Sequence, residues 1–168
     1  MLPNETLSRV MHSKLTKVGG FEYTAEEQAF AEKLYATLNA PNMPLGTQAQ
    51  VQAFDFERPG VGSTDVADVS WTVPTVGLRT ATWIPGTPAH SWQAAAAGGT
   101  SIGFKGMHIA SHTLALMGRE LFTHPKLIAK ARAEFLERRG SDFQYRPMLG
   151  DRAPALDYRR GVAGGGEE

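Results

Sequence analysis

Three groups of residues in this 168-residue chain have types and spacings that can carry chemistry. The first is His90, in the run Pro85-Gly86-Thr87-Pro88-Ala89-His90-Ser91-Trp92. An imidazole in such a loop can ligate a metal, act as a base, or satisfy nearby backbone groups, and spacing alone does not choose among them. The second is His108 with His112, an i,i+4 pair that shares one helix face. The intervening sequence, Ile-Ala-Ser, lacks the glutamate of the metalloprotease helix, so the pair reads as two exposed or half-buried histidines. His12 and His124 receive the same reading. The third is the loop Gly62-Ser63-Thr64-Asp65. Glycine-rich polar loops at strand ends are where open α/β sheets bind ligands, but glycine and proline also simply make turns, and Asp65 can serve as a cap. Glu26-Glu27 is an adjacent acidic pair that opens a helix, and capping explains it better than catalysis. Phosphate-binding loops, dinucleotide fingerprints and nucleophile elbows are absent from the sequence.

Composition narrows the classes further. There is no cysteine, so a thiol nucleophile and a thiolate metal site are excluded, and any metal must use His, Asp or Glu. Lys+Arg and Asp+Glu both number 17, so no global field argues for nucleic acid. Arg132, Arg138, Arg139, Arg146, Arg152, Arg159 and Arg160 lie among Glu134, Glu137, Asp142, Asp151 and Asp157, which reads as a solvated mixed face. The stretch from Met1 to Lys14 has no apolar run of signal-peptide length, and no segment reaches membrane-spanning length. A cytoplasmic protein is the resulting expectation.

These residues must be positioned by the elements around them. Asn4 is a candidate N-cap for a helix whose Leu7, Val10, Met11, Leu15 and Val18 share a face, ended by Gly19-Gly20. Thr24 and Glu27 make a capping-box pattern for a second helix carrying Phe30, Ala31, Leu34, Tyr35 and Leu38. A loop is expected from Leu45 to Pro59. Beyond it a short strand is expected over Val69 to Thr72. A second, alternating one is expected over Val76 to Ile84, with Val76, Leu78, Thr80, Thr82 and Ile84 on one side. A helix starting near Thr100 turns Ile102, Ile109, Ala110, Leu114 and Met117 inward. Another, from about Thr123 to Arg139, buries Leu127, Ile128, Ala131, Phe135 and Leu136. Helices, strands, then helices predict an α/β arrangement with one sheet face covered.

Two of these segments resemble a known family. Gly62-Ser63-Thr64-Asp65-Val66-Ala67-Asp68-Val69-Ser70-Trp71 is similar to a signature of the dinuclear zinc metallopeptidases and amidohydrolases. The nearest branch is the p-aminobenzoyl-glutamate hydrolase group, with carboxypeptidase G and the aminoacylases as wider relatives. Gly86-Thr87-Pro88-Ala89-His90-Ser91-Trp92-Gln93, then Gly99-Thr100-Ser101-Ile102 and Lys105-Gly106-Met107, make the second match. The opening, Val10-Met11-His12 through Val18-Gly19 to Glu27-Gln28-Ala29-Phe30-Ala31, resembles the stretch after that family's inserted lid domain. The resemblance implies the C-terminal part of an α/β/α-sandwich catalytic domain over 1–158, with a flexible tail over 159–168 and the lid/dimerisation domain absent.

The resemblance also implies a chemistry. Family members hold two divalent metal ions, usually zinc, and a glutamate base directs the bridging water at an amide or peptide carbonyl. His90 matches the family's last metal ligand. Gly62, Ser63, Thr64 and Asp65 match a loop on the substrate side, whose amides and hydroxyls would hold the carboxylate of a glutamate-like substrate. The family's remaining ligands and its base have no counterpart here, a His commonly stands where Phe104 is, and a Gly where Ala67 is. The expectation is therefore a C-terminal fragment or subunit, inactive alone, needing a partner chain for the N-terminal catalytic half. Its small-molecule amide substrate would be p-aminobenzoyl-glutamate-like or an N-acyl amino acid. The alternative is a non-catalytic binding remnant of the same fold. A small zinc domain built from His90, His108 and His112 is the weakest reading. Apolar surface left without its neighbours would make the isolated chain marginally stable or self-associating.

Overall fold

A computed structural model of the chain describes residues 1–56, 64–148 and 150–156. Gly62 and Ser63, and the tail expected over 159–168, lie outside the described residues. The described part is helical: α1 (Glu5–Val18), α2 (Ala25–Tyr35), α3 (Val66–Thr72), α4 (Trp92–Gly98), α5 (Ser101–Thr123) and α6 (Pro125–Arg139), with one 3-10 turn at Thr47–Ala49.

Local signals account for most helix ends. Asn4 accepts from the Leu7 amide at 3.0 Å, and Gly19, at φ 83°, ends α1. The capping box of α2 is complete: Glu27 N donates to Thr24 Oγ1 at 3.2 Å, and Thr24 N donates to Glu27 Oε2 at 2.8 Å. Pro125 occupies the first turn of α6, where its missing amide costs nothing.

The core has two centres strung along the 23-residue helix α5. Ala31 and Leu34 of α2 meet Ile84, Ala97 of α4 and Ile102 of α5. Leu7 and Met11 of α1 meet Met117 of α5 and Ala131 of α6. The helices are also tied by polar contacts. Asn4 Nδ2 donates to the Ala131 carbonyl at 2.8 Å. The Glu5 and Thr6 amides donate to the Glu134 carboxylate at 2.6 and 2.8 Å, so a side chain of α6 caps α1.

The expected α/β sandwich is overturned: among the described residues there is no strand and no sheet. The stretch expected as a strand over Val69 to Thr72 is the end of α3. Its valines and tryptophan favour strand, but helical spacing turns Ser70 inward, where Ser70 Oγ accepts from the Leu2 amide at 2.9 Å. Trp71 stacks on Phe143 with centroids 4.8 Å apart, while Val66, Val69 and Val73 stay exposed. The Thr64 hydroxyl accepts from the Val66 amide at 3.2 Å, and Asp68 sits in the first turn.

In the segment Val76 to Ile84, expected as an alternating strand, three of the five residues expected on one side are packed. Val76 and Leu78 pack on the α1–α5–α6 core and Ile84 enters the other. It forms no ladder, because no second extended segment among the described residues runs beside it. Helix α5 crosses close over this segment: a Cβ on Gly106 would collide with the Ala81 carbonyl and lie 2.9 Å from the Thr82 amide nitrogen. The helix faces differ from expectation too. Leu114 of α5, and Ile128 and Leu136 of α6, are exposed rather than inward.

Candidate functional site

The loop that carries His90 is fixed at both ends. Upstream, Ile84 is 2% exposed, and the Thr87 amide closes a turn onto the Ile84 carbonyl at 3.2 Å. Gly86, at φ 80°, passes so close to the 41–43 segment that an added Cβ would sit 2.7 Å from Pro41 Cβ. Only glycine fits that place and that backbone region. Downstream, Ser91 Oγ accepts from the Ala94 amide at 3.2 Å and so caps α4, and donates to the Pro88 carbonyl at 2.7 Å. Gln93 Nε2 donates to the Thr37 carbonyl and hydroxyl, both at 3.3 Å, holding α4 to the end of α2.

Between these anchors Pro88, Ala89 and His90 are exposed. His90 has φ 59°, and Ala40 is the other non-glycine residue with positive φ among those described. A side chain with a Cβ held in that region costs about 1 kcal/mol or more, and persists where the surrounding structure over-determines it. The two anchors do so here, and they present the imidazole at the crest of the loop. Trp92, 62% exposed, follows it. Thr87 Oγ1 is buried without a hydrogen-bond partner at the base of the loop.

The other candidates from the sequence are placed separately. Thr64 and Asp65 are exposed at the start of α3. Thr64 Oγ1 donates to Asp65 Oδ1 at 3.4 Å, and the Asp65 side chain caps nothing. No hydrogen bond or ion pair links either residue to His90 among the described residues. His108 and His112 are both exposed on α5. His12 lies against Phe54, with ring centroids 5.4 Å apart. His124 Nδ1 sits 2.9 Å from Thr123 Oγ1 and 3.3 Å from Glu120 Oε1 at the end of α5. No group of three His, Cys, Asp or Glu side chains able to hold a metal ion occurs among the described residues.

The densest polar cluster is one that the sequence points to only through the capping box. Besides capping α2, the Glu27 carboxylate accepts from Ser101 Oγ at 2.6 Å and Lys105 Nζ at 2.5 Å, both on α5. Burial pushes this carboxyl up, but the hydrogen bonds from Lys105, Ser101 and Thr24 outweigh it and hold it at about 2. Burial, and then the Glu27 charge, push the neighbouring Tyr23 phenol up to about 12. Tyr23 Oη is buried without a hydrogen-bond partner. An open cleft of about 350 Å³ beside the cluster is lined by Thr24, Glu26, Glu27, Phe30, Ser101 and Ile102. With every Glu27 bond directed at its own chain, the cluster fastens α2 to α5. A general base would need a lone pair free for water, and a carboxyl held this low is a poor one near neutral pH.

Comparison with known proteins gives one relationship. No family model matches the chain, and no solved structure matches it. The chain is 31% identical over 157 residues to a subunit of the p-aminobenzoyl-glutamate hydrolase of Escherichia coli (strain K12), a match covering 79% of this chain and 33% of that one. It thus spans about a third of the length of the curated relative it matches. That identity supports a relationship to a hydrolase subunit.

Proposed function

We propose that this chain supplies the His90-bearing, C-terminal portion of a metal-dependent amidohydrolase whose remaining residues lie outside it. The observation that carries the reading is the similarity to the p-aminobenzoyl-glutamate hydrolase of E. coli. The anchored loop supports it, since a strained, exposed histidine between two rigid attachments suits a ligand delivered to a site assembled elsewhere. The proposed substrate is a small amide of the p-aminobenzoyl-glutamate or N-acyl amino acid kind.

In this reading His90 offers one ring nitrogen to a divalent metal, zinc being the expected ion, at a centre completed by another polypeptide segment. A bound metal pair would supply Lewis acidity and an activated water. No step is assigned to the chain's other residues beyond position: Gly86 and Ser91 hold the loop, and Thr64 and Asp65, with Gly62 and Ser63, are proposed to face the substrate carboxylate.

The test is zinc content and p-aminobenzoyl-glutamate hydrolysis, measured for the chain alone and after mixing with the part of the E. coli relative outside the matched stretch. Metal uptake and turnover only in the mixture, lost with His90→Ala, support the reading. No turnover in either case favours the non-catalytic remnant, and turnover by the chain alone refutes the need for a partner.

A further inference from the structure

Helix α5 carries two of the chain's five histidines, both of them exposed. His108 and His112 lie well inside a 23-residue helix. Four residues of helix set them about 6 Å apart along the axis and about 40° apart around it. At that spacing two imidazoles can converge on one point above the helix surface. The pair is held in place from behind. Ile102, Gly106, Thr113 and Met117 are buried on the other side of α5, and the Thr113 hydroxyl donates to the Ile109 carbonyl at 2.8 Å. Both rings are also uncommitted. His124 is engaged by Thr123 and Glu120, and His12 lies against Phe54. His108 and His112 make no hydrogen bond, ion pair or ring contact among the described residues. Between them the Ser111 hydroxyl turns back to donate to the Met107 carbonyl at 3.0 Å, and Lys105 is tied to Glu27, so neither neighbour competes for the ring nitrogens.

We propose that His108 and His112 form a two-imidazole site for a divalent transition-metal ion, separate from the centre to which His90 is assigned. Neutral imidazole suits copper, nickel and zinc, whereas magnesium and calcium demand oxygen ligands. No third His, Cys, Asp or Glu joins the pair among the described residues, so water fills the remaining coordination positions. The folded helix sets the two positions side by side and the unfolded chain does not, so the bound ion stabilises the fold. With only two protein ligands the ion exchanges readily and is stripped by a chelating resin. It therefore adds nothing to the retained zinc that reports on the hydrolase centre. The site stands whether or not the chain completes an amidohydrolase.

The experiment is calorimetric titration of the full, metal-stripped chain with nickel, copper and magnesium chlorides in a non-coordinating buffer at neutral pH. The expected result is one ion per chain, with copper tighter than nickel and no magnesium uptake. His108→Ala and His112→Ala each weaken nickel binding by about tenfold or more, while His90→Ala leaves it unchanged. His112→Ser combined with Ala115→His keeps five histidines and both positions exposed. It sets the pair about 10 Å apart along the axis, and is expected to weaken binding as much as His112→Ala does. All these positions face solvent, so the variants should keep the helical circular dichroism of the parent, which is measured alongside. Added nickel raises the thermal midpoint of the parent and not that of His108→Ala. No saturable uptake overturns the proposal, as does uptake that survives loss of either histidine. Equal uptake by the rearranged pair overturns it too, because spacing would then be irrelevant. So does one ion per two chains, since a second copy would then complete the shell in place of water.

Discussion

Glu27 of α2 and Lys105 of α5 form an ion pair of 2.5 Å in which the carboxylate side chain is 8% exposed and the ammonium side chain 33%. The carboxylate keeps two other bonds, from the Ser101 hydroxyl and the Thr24 amide, so the two residues are not equivalent. Glu27→Ala removes a cap and leaves Ser101 without its acceptor and Lys105 with only the Glu22 carbonyl, at an expected cost of about 2 to 3 kcal/mol. Lys105→Ala leaves the carboxylate bonded to Thr24 and Ser101, and its half-open side chain makes the expected loss about 1 kcal/mol. Urea unfolding of both variants checks the order, and equal losses would contradict it.

Acid should unfold the chain over a definable window. Glu27 and Glu134 are both held at about 2: burial raises each, and hydrogen bonds outweigh it, from Lys105, Ser101 and Thr24 in one case and from Thr6, Glu5 and Arg138 in the other. A carboxyl depressed on folding stabilises above its unfolded value near 4.5, and the contribution disappears as pH falls toward 2. Each group contributes on the order of 1 kcal/mol once solvent screening is allowed for. Thermal midpoints should be flat from pH 7 to 5 and fall steeply below 4.5, with the fall reduced in Glu134→Gln.

Two glycines of α5 should respond to alanine with opposite signs. In a helix interior Gly→Ala normally stabilises by about 1 kcal/mol, and Gly118, with nothing within 4 Å of an added Cβ, is expected to follow that rule. Gly106→Ala drives a methyl group into the Ala81–Thr82 backbone and is expected to destabilise by about 1 to 3 kcal/mol. A stabilising Gly106→Ala would mean that the 81–84 segment does not lie against α5.

His90 should separate stability from function. Its side chain is exposed and its backbone strained, so His90→Gly is expected to leave stability unchanged or raise it by up to about 1 kcal/mol. The same variant is expected to abolish metal-dependent turnover in the complemented mixture. A large loss of stability would place the imidazole in a structural role.

Phe104, Met107, Leu114 and Phe122 make one exposed stripe along α5, with Phe122 92% exposed. A stripe of that length without a neighbour predicts self-association of the isolated chain. Sedimentation should show a mass that rises with concentration, and Met107→Lys with Leu114→Lys should hold it at the monomer. A concentration-independent parent monomer with cooperative unfolding would sink the prediction.

The sequence makes local order legible and tertiary context much less so. Asn4, Thr24, Glu27 and Gly19 announce helix ends through their own bonding, and each does what its type predicts. The alternation from Val76 to Ile84 picks out Val76, Leu78 and Ile84 as packed residues, though in two different clusters and without a strand. It cannot say whether another strand lies alongside, because pairing is decided by residues far away in the chain. Leu114, Ile128 and Leu136 mislead for the same reason: periodicity shows that a face is apolar, not that the same chain covers it. Helix α4 is hidden because its alanine run has no apolar period, although Ser91 stands ready as its cap. His90 is marked only through family resemblance, since neither its left-handed backbone nor the Gly86–Pro41 approach is written in local spacing.

The Glu134 cap on α1 has a consequence for how the chain is made. The amides of Glu5 and Thr6 leave the ribosome ahead of their acceptor, which is synthesised 129 and 128 residues later. At about 5 to 20 residues per second, that interval is on the order of ten seconds. During it, the first helix has no finished N-terminal turn and its apolar face has no α6 to rest on. Contacts of such high sequence separation form late, so the nascent chain is expected to recruit chaperones through α1 until α6 has emerged.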